Sequence, residues 1–361
     1  MKINSLIEAK AELTHGTGSY NPVVLSTRIR LARNLMDNSF PGRADASQRQ
    51  EILSACMDAV GGLPRMKKGN KFLIEELSDL EKQILMERHL ISRELMKRRK
   101  GAGVMISKDQ DCSIMINEED HLRIQFLRRG LNFTRTWNSI NAIDDSIEET
   151  LDYAFSPDLG YLTACPTNLG TGLRASAMMH LPGLVISSQM EKVIRAVSEL
   201  GITVRGLFGE GSDASGSIFQ ISNQRTLGES EKEIIKRLGE VINAIVEQEL
   251  NARGKLLEDE PVKLCDKISR AFGLLGNVWL LSSAEAMSFL SLMRLAIDMG
   301  ILPVEQRPLI DRLFIESQPG HIQYSAQEEV SPQMRDQLRA RLFREQFHDL
   351  PSLNFDKLAK L

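Results

Sequence analysis

This sequence has few cysteines and few aromatic residues, and its net charge is small. Its 361 residues contain four cysteines without a Cys-x-x-Cys pair, a pattern that predicts neither a disulfide framework nor a zinc site. The formal net charge of −3 excludes nucleic-acid binding through bulk positive charge. Two tryptophans and four tyrosines leave few rings for a platform that stacks bases. The composition therefore indicates a globular protein without a nucleic-acid partner.

Long hydrophobic runs are missing as well. The opening residues, MKINSLIEAKAELTHG, carry charges at Lys2, Glu8 and Lys10 and lack the apolar core of a signal peptide. The uncharged stretch 271–284 is too short to cross a bilayer and is interrupted by serine and glycine. We therefore expect a cytoplasmic protein that does not associate with a membrane.

Hydrophobic periodicity predicts two regions that differ in secondary structure. Residues 23–34, VVLSTRIRLARN, alternate as a half-buried strand does, which places Arg28 and Arg30 on one face. Further strands and helices follow irregularly, as in an α+β protein, whereas residues 262–361 show only helical patterns. We place the boundary near residue 255, which gives domains 1–255 and 256–361. Helices of the first domain are predicted over residues 47–60, with Ser47 and Gln50 as a capping box, 78–95, 187–200 and 230–250.

The usual phosphate-binding loops are absent. There is no Walker A loop and no protein-kinase HRD or DFG set. Residues 170–175 fit GxGxxA but follow a Cys-Pro-Thr-Asn turn, so a Rossmann site is a weak alternative. Several arginines instead lie at strand ends or in glycine turns, where guanidinium forks could grip a triphosphate. The competing interpretation is that each is a solvated surface group. These arginines are Arg28, Arg30, Arg123, Arg174 and Arg205.

An acidic cluster follows the apolar strand predicted over residues 112–116. Residues 116–125, INEEDHLRIQ, place Glu118, Glu119 and Asp120 beside His121 and Arg123. Because neighbouring like charges repel, this stretch is either a solvated turn or a site for a strongly cationic group. If it stays extended, Glu119, His121 and Arg123 share one face of the strand.

Four stretches in register connect these features to a known superfamily. STRIRLARN, NEEDHLRIQ, CPTNLGTGLRAS and VRGLFGEG…IFQISN resemble the catalytic domain of phosphagen (guanidino) kinases over about residues 20–250. Within that superfamily the chain resembles the McsB-type protein arginine kinases over nearly its whole length. The resemblance implies an α+β, glutamine-synthetase-like fold, in which helices flank an antiparallel sheet, followed by an all-α domain. It also implies ATP and Mg²⁺ as cofactors, with no metal held by protein residues alone.

The resemblance implies a role for specific residues. Glu119 and Glu210 would hold the acceptor guanidinium, with Glu119 accepting its proton during attack on the γ-phosphorus. Cys165 matches the reactive cysteine of the superfamily, although a small buried hydrophobe is an equal alternative. The implied ATP-binding residues are Ser26, Thr27, Arg28, Ile29, Arg30, His89, Arg123, Arg174, Ala175, Ser176, Ala177, Met178, Arg205, Gly206, Leu207, Phe208, Gly209 and Glu210.

The substrate class is inferred from the short leader. Small-guanidine kinases carry an additional helical domain ahead of the strand 23–34, which encloses creatine or arginine. Only residues 1–22 precede it here, so we expect an open pocket that accepts arginine side chains of proteins. Two alternatives remain: a small-guanidine kinase, and a non-catalytic adaptor that binds phosphoarginine. The basic stretch 127–146 matches the superfamily least well.

The C-terminal region carries further expectations. The family resemblance implies an allosteric phosphoarginine pocket and partners of the McsA activator and ClpC unfoldase types. An apolar stripe through Met287 and Leu290 favours a homodimer. Of the histidines, we expect His89 to contact nucleotide from a helix, His121 to serve a structural hydrogen bond, and His180 to fill space. The pocket residues are Arg335, Asp336, Gln337, Leu338, Arg339 and Ala340.

Overall fold

The computed structural model describes residues 3–9, 21–98, 100–206 and 215–356. An eight-stranded antiparallel sheet dominates the first part of the chain, in the order β2-β3-β4-β5-β1-β8-β10-β9. A small hairpin, β6–β7, stands apart from it. The strands are β1 (Val24–Arg33), β2 (Asn70–Leu73), β3 (Gly103–Ile106), β4 (Cys112–Ile116), β5 (Leu122–Arg129), β6 (Phe155–Ser156), β7 (Gly160–Tyr161), β8 (Leu173–His180), β9 (Ile202–Gly206) and β10 (Ile218–Asn223).

Helices cover the sheet and then form the rest of the chain. Among the described residues, no helix is long and apolar enough to cross a membrane. The helices are α1 (Asn4–Glu8), α2 (Ala46–Gly62), α3 (Asp79–Glu87), α4 (Arg93–Lys97), α5 (Phe133–Glu148), α6 (Pro182–Ile186), α7 (Met190–Glu199), α8 (Glu231–Asp259), α9 (Pro261–Asn277), α10 (Ser283–Asp298), α11 (Arg307–Glu316), α12 (Pro319–Ala326) and α13 (Pro332–Phe347).

The period-two pattern of β1 determines what each face of the sheet carries. Ile29 and Leu31 are fully buried with Val60 of α2, Ile140 of α5 and Leu238 of α8. Because side chains alternate along a strand, Arg28 and Arg30 lie on the opposite face. β1 runs between β5 and β8, so this second face is at the centre of the sheet.

Two helix predictions were wrong in detail. The capping box of α2 is formed by Asp45 and Gln48, two residues earlier than predicted. Residues 78–95 form two helices instead of one, with a break after Glu87 where His89 adopts a positive φ of 59°. His89 therefore lies in a turn, because its left-handed backbone cannot continue an α-helix.

The helical region (residues 260–356) begins at a helix boundary slightly later than residue 255. Helix α8 starts at a capping box of Ser230 and Glu233 and continues through Asp259. It ends where Pro261 begins α9, because a proline at the first helical turn cannot extend the preceding helix. The helices that follow enclose a separate hydrophobic cluster, which Ile218 at the start of β10 joins.

Buried polar contacts join the helical region to the sheet. Arg253 of α8 pairs with Glu249 at 2.6 Å and with Asp298 of α10 at 2.9 Å, and its guanidinium also donates to the carbonyl of His180. His180 is fully buried and bonds Ser291 of α10 through Nε2, at 2.8 Å. His180 thus fills interior space, as predicted, and also makes a specific contact between the regions.

A second contact joins the end of α3 to α12. The buried carboxylate of Glu87 accepts hydrogen bonds from the backbone N–H of Gly320 at 2.8 Å and of His321 at 3.2 Å. Its Oε2 also lies 2.8 Å from Nδ1 of His321. Glu87 therefore caps the first turn of α12 from outside that helix.

Candidate active site

Four half-buried arginines converge on the second face of the central strands, here called the arginine face. Arg30 of β1 is paired in register with Arg174 of β8 and with Gln125 of β5. Arg123 lies two residues from Gln125, and Arg28 two residues from Arg30, so both project to the same side. The arginine face is defined by Arg28, Arg30, Arg123 and Arg174.

The positive charges of these guanidinium groups repel one another. Burial lowers the pKa of Arg28 to about 10, and the positive charges of Arg123 and Arg174 contribute. Burial and the same neighbours hold the pKa of Arg30 well below its ordinary value. The Nε atoms of Arg30 and Arg174 are buried without a hydrogen-bond partner among the described residues. Positive charge gathered in this way favours an anion with several oxygens.

Strand β10 supports the arginine face with polar side chains that our sequence interpretation did not single out. Gln220 accepts a hydrogen bond from Arg28, and Ser222 accepts one from Arg174 at 3.1 Å. The two residues alternate in IFQISN, so they share one side of the strand. The spacing was visible in the sequence, but their arginine partners lie on other strands.

The acidic cluster forms a turn and not an extended strand. Strand β4 ends at Ile116 and β5 begins at Leu122, with Asn117 in a positive-φ conformation of 54°. The stretch does not stay extended, so the condition under which Glu119, His121 and Arg123 would share one strand face is not met. We call residues 117–121 the acidic turn.

Two of the three acids hold the acidic turn in place. Glu118 is buried, pairs with Arg123 at 2.5 Å and accepts a hydrogen bond from Ser92. Its pKa is lowered overall, because Arg123 and these hydrogen bonds outweigh burial. Asp120 accepts from the side chain of Asn34 at 2.6 Å and from the backbone N–H of Ala164 at 2.7 Å. Both carboxylates are therefore already occupied by protein donors.

His121 belongs to the same framework. Its Nδ1 accepts from the backbone N–H of Leu35 at 3.0 Å, and its Nε2 lies 3.0 Å from the carbonyl oxygen of Ser39. Burial lowers the pKa of His121, partly offset by the bond to Ser39. The neutral ring can make both contacts at once. The predicted structural role of His121 agrees with this geometry.

Within the described ranges, the Glu119 carboxylate makes no hydrogen bond or ion pair, unlike those of Glu118 and Asp120. Glu119 is half-buried, and its backbone N–H donates to Glu118 at 3.1 Å. Burial raises its pKa, and the neighbouring charges of Asp120 and Glu118 raise it further. A raised pKa makes this carboxylate a better proton acceptor than an ordinary glutamate. One small cavity is lined by Arg30, Leu31, Ala32, Glu118, Glu119, Asp120, Arg123, Asn168, Gly172 and Arg174.

His89 and Cys165 border this site from two sides. Burial lowers the pKa of His89 to about 4, with the charge of Arg28 contributing, so its ring is neutral near pH 7. The His89 carbonyl accepts from Gln125 at 2.7 Å. Cys165 is partly exposed, with Sγ 2.9 Å from Oγ1 of Thr167. Partial exposure leaves the thiol accessible, in contrast to the buried Cys56 and Cys112.

Some residues implied for ATP binding lie away from the arginine face. Thr27, Ile29, Ala175 and Ala177 are completely buried on the opposite side of the sheet, so their side chains belong to the core. They lie within the matching motifs because every second residue of a strand faces inward. The remaining strand residues, Ser26, Ser176 and Met178, alternate with them.

The last implied segment is described only in part. Arg205 is exposed on β9 opposite Gln220, and its charge helps to lower the pKa of Arg174. Gly206 ends that strand. Leu207, Phe208, Gly209 and Glu210 lie outside the described residues.

The residues of the predicted allosteric pocket lie on α13. Arg339 is buried and donates to the carbonyls of Ser317 and Leu281, each at 2.7 Å, and to Asp336 at 2.6 Å. Arg335 is half-buried and donates to Gln323 and to the carbonyl of Val330. Gln337 is exposed, Leu338 is half-buried and Ala340 is buried. Arg339 thus supports the helical region itself.

Comparison with known proteins decides the family. Residues 51–252 match the family described as ATP:guanido phosphotransferase, C-terminal catalytic domain. Residues 261–358 match that of the protein-arginine kinase McsB C-terminal domain. The protein-arginine kinase of Halothermothrix orenii is 43% identical over 91% of this chain and 94% of its own length. That of Bacillus velezensis is 44% identical over 92% of each. The chain belongs to the protein-arginine kinase family. The resemblance drawn from the four motifs is confirmed.

Solved structures confirm the predicted fold class. A duplicated taurocyamine kinase from Schistosoma mansoni, with bound transition state analog components, gives a TM-score of 0.57 at 26% identity. The match covers 65% of this chain and 34% of that one. A lombricine kinase gives a TM-score of 0.56 at 27% identity, covering 67% of this chain and 72% of that one. The family's sheet is therefore shared with kinases named for small guanidines.

Proposed function

We propose that this protein transfers the γ-phosphoryl group of ATP to arginine side chains of proteins. The observation that carries the proposal is the cavity in which Glu119 faces Arg30, Arg123 and Arg174. It offers positive charge for a phosphate chain beside a carboxylate suited to a guanidinium. The curated relatives at 43–44% identity bear the name protein-arginine kinase.

The arginine face suits the nucleotide's phosphates. An ATP phosphate chain would supply the negative charge that the crowded guanidinium groups lack, and would restore their lowered pKa values. Magnesium would enter with the nucleotide, since Mg²⁺ is commonly held by substrate phosphates and water.

Glu119 suits the acceptor. A guanidinium is a poor nucleophile because its lone pairs are delocalised and its pKa exceeds about 12. A carboxylate that orients it and accepts its proton leaves a neutral nitrogen to attack phosphorus, while the ADP oxygen departs. The arginine face would stabilise charge on the transferring group. We propose Glu210 as the second carboxylate and Cys165 as a neighbour of the acceptor, both on the family resemblance.

The test is phosphoryl transfer to an arginine-rich protein such as casein, in the presence of Mg-ATP. We expect acid-labile phosphate on arginine, identified by mass spectrometry, and we expect it to disappear in Glu119→Gln. The variant should still bind ATP, because Glu119 lies on the acceptor side. Normal turnover in this variant, or phosphate on serine or free arginine alone, would contradict the proposal.

The resemblance supports a second, regulatory element. We propose that Arg335 and Asp336, whose side chains are partly exposed on one turn of α13, sense phosphoarginine. Because Arg339 already bonds two carbonyls, Arg335→Ala is the more selective test: it should remove any response of the kinase to added phosphoarginine. A wild-type response to phosphoarginine in that variant would contradict the proposed pocket.

The same resemblance supports a cellular setting. We propose a homodimer in the cytoplasm, an activator of the McsA type and an unfoldase of the ClpC type that receives the marked proteins. Pull-down of each partner with the purified chain, with and without ATP, tests these associations.

A further inference from the structure

A groove lies on the far side of the turn that borders the candidate active site. It has a volume of about 420 Å³ and runs between the β6–β7 hairpin and the start of α8. Its walls carry three exposed apolar side chains: Phe155 at 50%, Leu159 at 44% and Leu227 at 53% exposure. Isolated exposed apolar residues are ordinary, but three around one concavity form a surface suited to apolar contact.

The groove is acidic as well as apolar. Asp158, Glu229 and Glu231 line it, and no lysine or arginine of the described part of the chain does. Glu229 pairs with Arg237 at 2.6 Å. Asp158 and Glu231 form no ion pair with any residue in the described ranges. The groove therefore favours a partner that combines an apolar side chain with a positive charge.

The groove and the cavity that Glu119 lines share one structural element, the glycine turn (residues 166–172). Asn168 and Gly172 line the cavity that holds Glu119, whereas Gly170 and Thr171 line the groove. Gly170 and Gly172 are two residues apart, at most about 7 Å between Cα atoms. Only this turn of the chain separates the groove from the cavity.

Specific contacts fix the glycine turn against the groove walls. The backbones of Gly170 and Tyr161 exchange hydrogen bonds at 2.7 and 3.4 Å. Thr226, next to Leu227, accepts from the Thr171 N–H at 3.0 Å and donates to the carbonyl of Leu169 at 2.6 Å. The Tyr161 ring also lies over the guanidinium of Arg33, with 3.5 Å to the ring centroid. These contacts give the groove a preformed shape.

We infer that this groove docks a segment of the protein substrate that flanks the target arginine. The segment would place an apolar side chain against Leu159 and Leu227 and a basic side chain opposite Asp158 and Glu231. The inference rests on the proposed function and names its substrate preference. Charge complementarity and the shared glycine turn both favour an arginine-containing basic segment over other occupants.

Kinetics with matched peptides test the inference. One peptide carries a single arginine flanked by leucine and lysine on both sides; the other has glycine and serine at those positions. For the wild-type enzyme we expect a kcat/KM about tenfold higher for the first, as the burial of one apolar side chain predicts. In the double variant Leu159→Ser, Leu227→Ser the preference should fall to the part contributed by the lysines, with the rate on the glycine–serine peptide and the KM for ATP unchanged.

The control is Leu200→Ser, because Leu200 is also 51% exposed but does not line the groove. This variant should keep the wild-type preference. Equal use of both peptides by the wild type, or an undiminished preference in the double variant, overturns the inference. So does a change in oligomeric state of the double variant by light scattering, which would assign the groove to contacts between copies of this chain. Absence of transfer to arginine in any substrate would instead overturn the proposed function.

Discussion

Arginine serves opposite purposes in two regions of this molecule. On the arginine face, Arg28 and Arg30 lie close to like charges, and burial together with these charges lowers their pKa values. Where the sheet meets the helical region, each arginine lies against acids: Arg253 pairs with Glu249 and Asp298, and Arg294 with Asp311. Arg28 and Arg30 are half-buried, whereas Arg253 and Arg294 are buried. Burial lowers the pKa of Arg294 to about 10 as well, so the two regions differ chiefly in the partners of their arginines.

The arginines paired with acids serve the structure of the protein, whereas the crowded arginines are suited to binding an anion. A buried arginine with carboxylate partners is neutralised within the protein and holds two elements together. A group of buried arginines without enough acids raises the free energy of the folded state until an anion arrives. Stability and activity should therefore respond in opposite ways when arginines of the two regions are replaced.

The largest effect is expected at the interface. Arg253→Met leaves Glu249 buried and uncompensated, which should lower the free energy of unfolding by about 3–5 kcal/mol. The pKa of Glu249 is already raised by burial, against the opposing charge of Arg253. A raised carboxyl pKa costs stability only where the group is ionised, so the deficit of the variant should shrink as the pH falls and Glu249 protonates.

Urea unfolding at several pH values measures this deficit. The control is Arg195→Met, which breaks an exposed pair with Glu191, whose side chains are 81% and 70% accessible; it should cost at most about 1 kcal/mol. If both substitutions lowered the free energy of unfolding equally, the buried ion pairs of Arg253 would have no special structural role.

The next effect is expected on the arginine face. Arg30→Gln should reduce phosphoryl transfer by roughly 10²–10³-fold, the usual result of removing one donor that stabilises developing charge. Its melting temperature without nucleotide should equal or exceed that of the wild type, because one like charge is removed from a crowded group. Steady-state kinetics and thermal unfolding of one preparation measure both; a loss of activity that only follows a loss of stability would contradict the comparison.

The smallest effect concerns Glu119 itself. Its raised pKa means that ionisation of this carboxyl costs stability above the ordinary glutamate range. Glu119→Gln should therefore melt at a slightly higher temperature than the wild type at pH 8, and this gain should disappear toward pH 4. Glu247→Gln, on the exposed side of α8, serves as control and should show no such gain.

Local patterns predicted the arginine face well. Alternation in β1 placed Arg28 and Arg30 on one side because a strand has a period of two. Helices were predicted to start at residues 78 and 230, and α3 and α8 do start there, at capping boxes of Ser78 with Glu81 and Ser230 with Glu233. A capping box satisfies its own helix terminus within four residues. These features depend on neighbours in sequence.

Features that depend on distant partners were not predictable. At the break, the carbonyl of His89 accepts a hydrogen bond from Gln125 of β5. The acidic turn is held by Asn34, which precedes Asp120 by 86 residues. The ion pairs of Arg253 join α8 to α10. A single sequence carries no record of which charged side chains meet across such separations.

Glu87 makes the two regions mechanically inseparable. Its carboxylate holds the first turn of α12, and two residues later the chain reaches His89, whose neutral ring faces Arg28. In a fragment ending near residue 259, this carboxylate would lose three hydrogen-bond donors, and the apolar start of β10 would be exposed. The turn that carries His89 is thus supported partly from the other end of the polypeptide, and residues 1–259 prepared alone would lack that support.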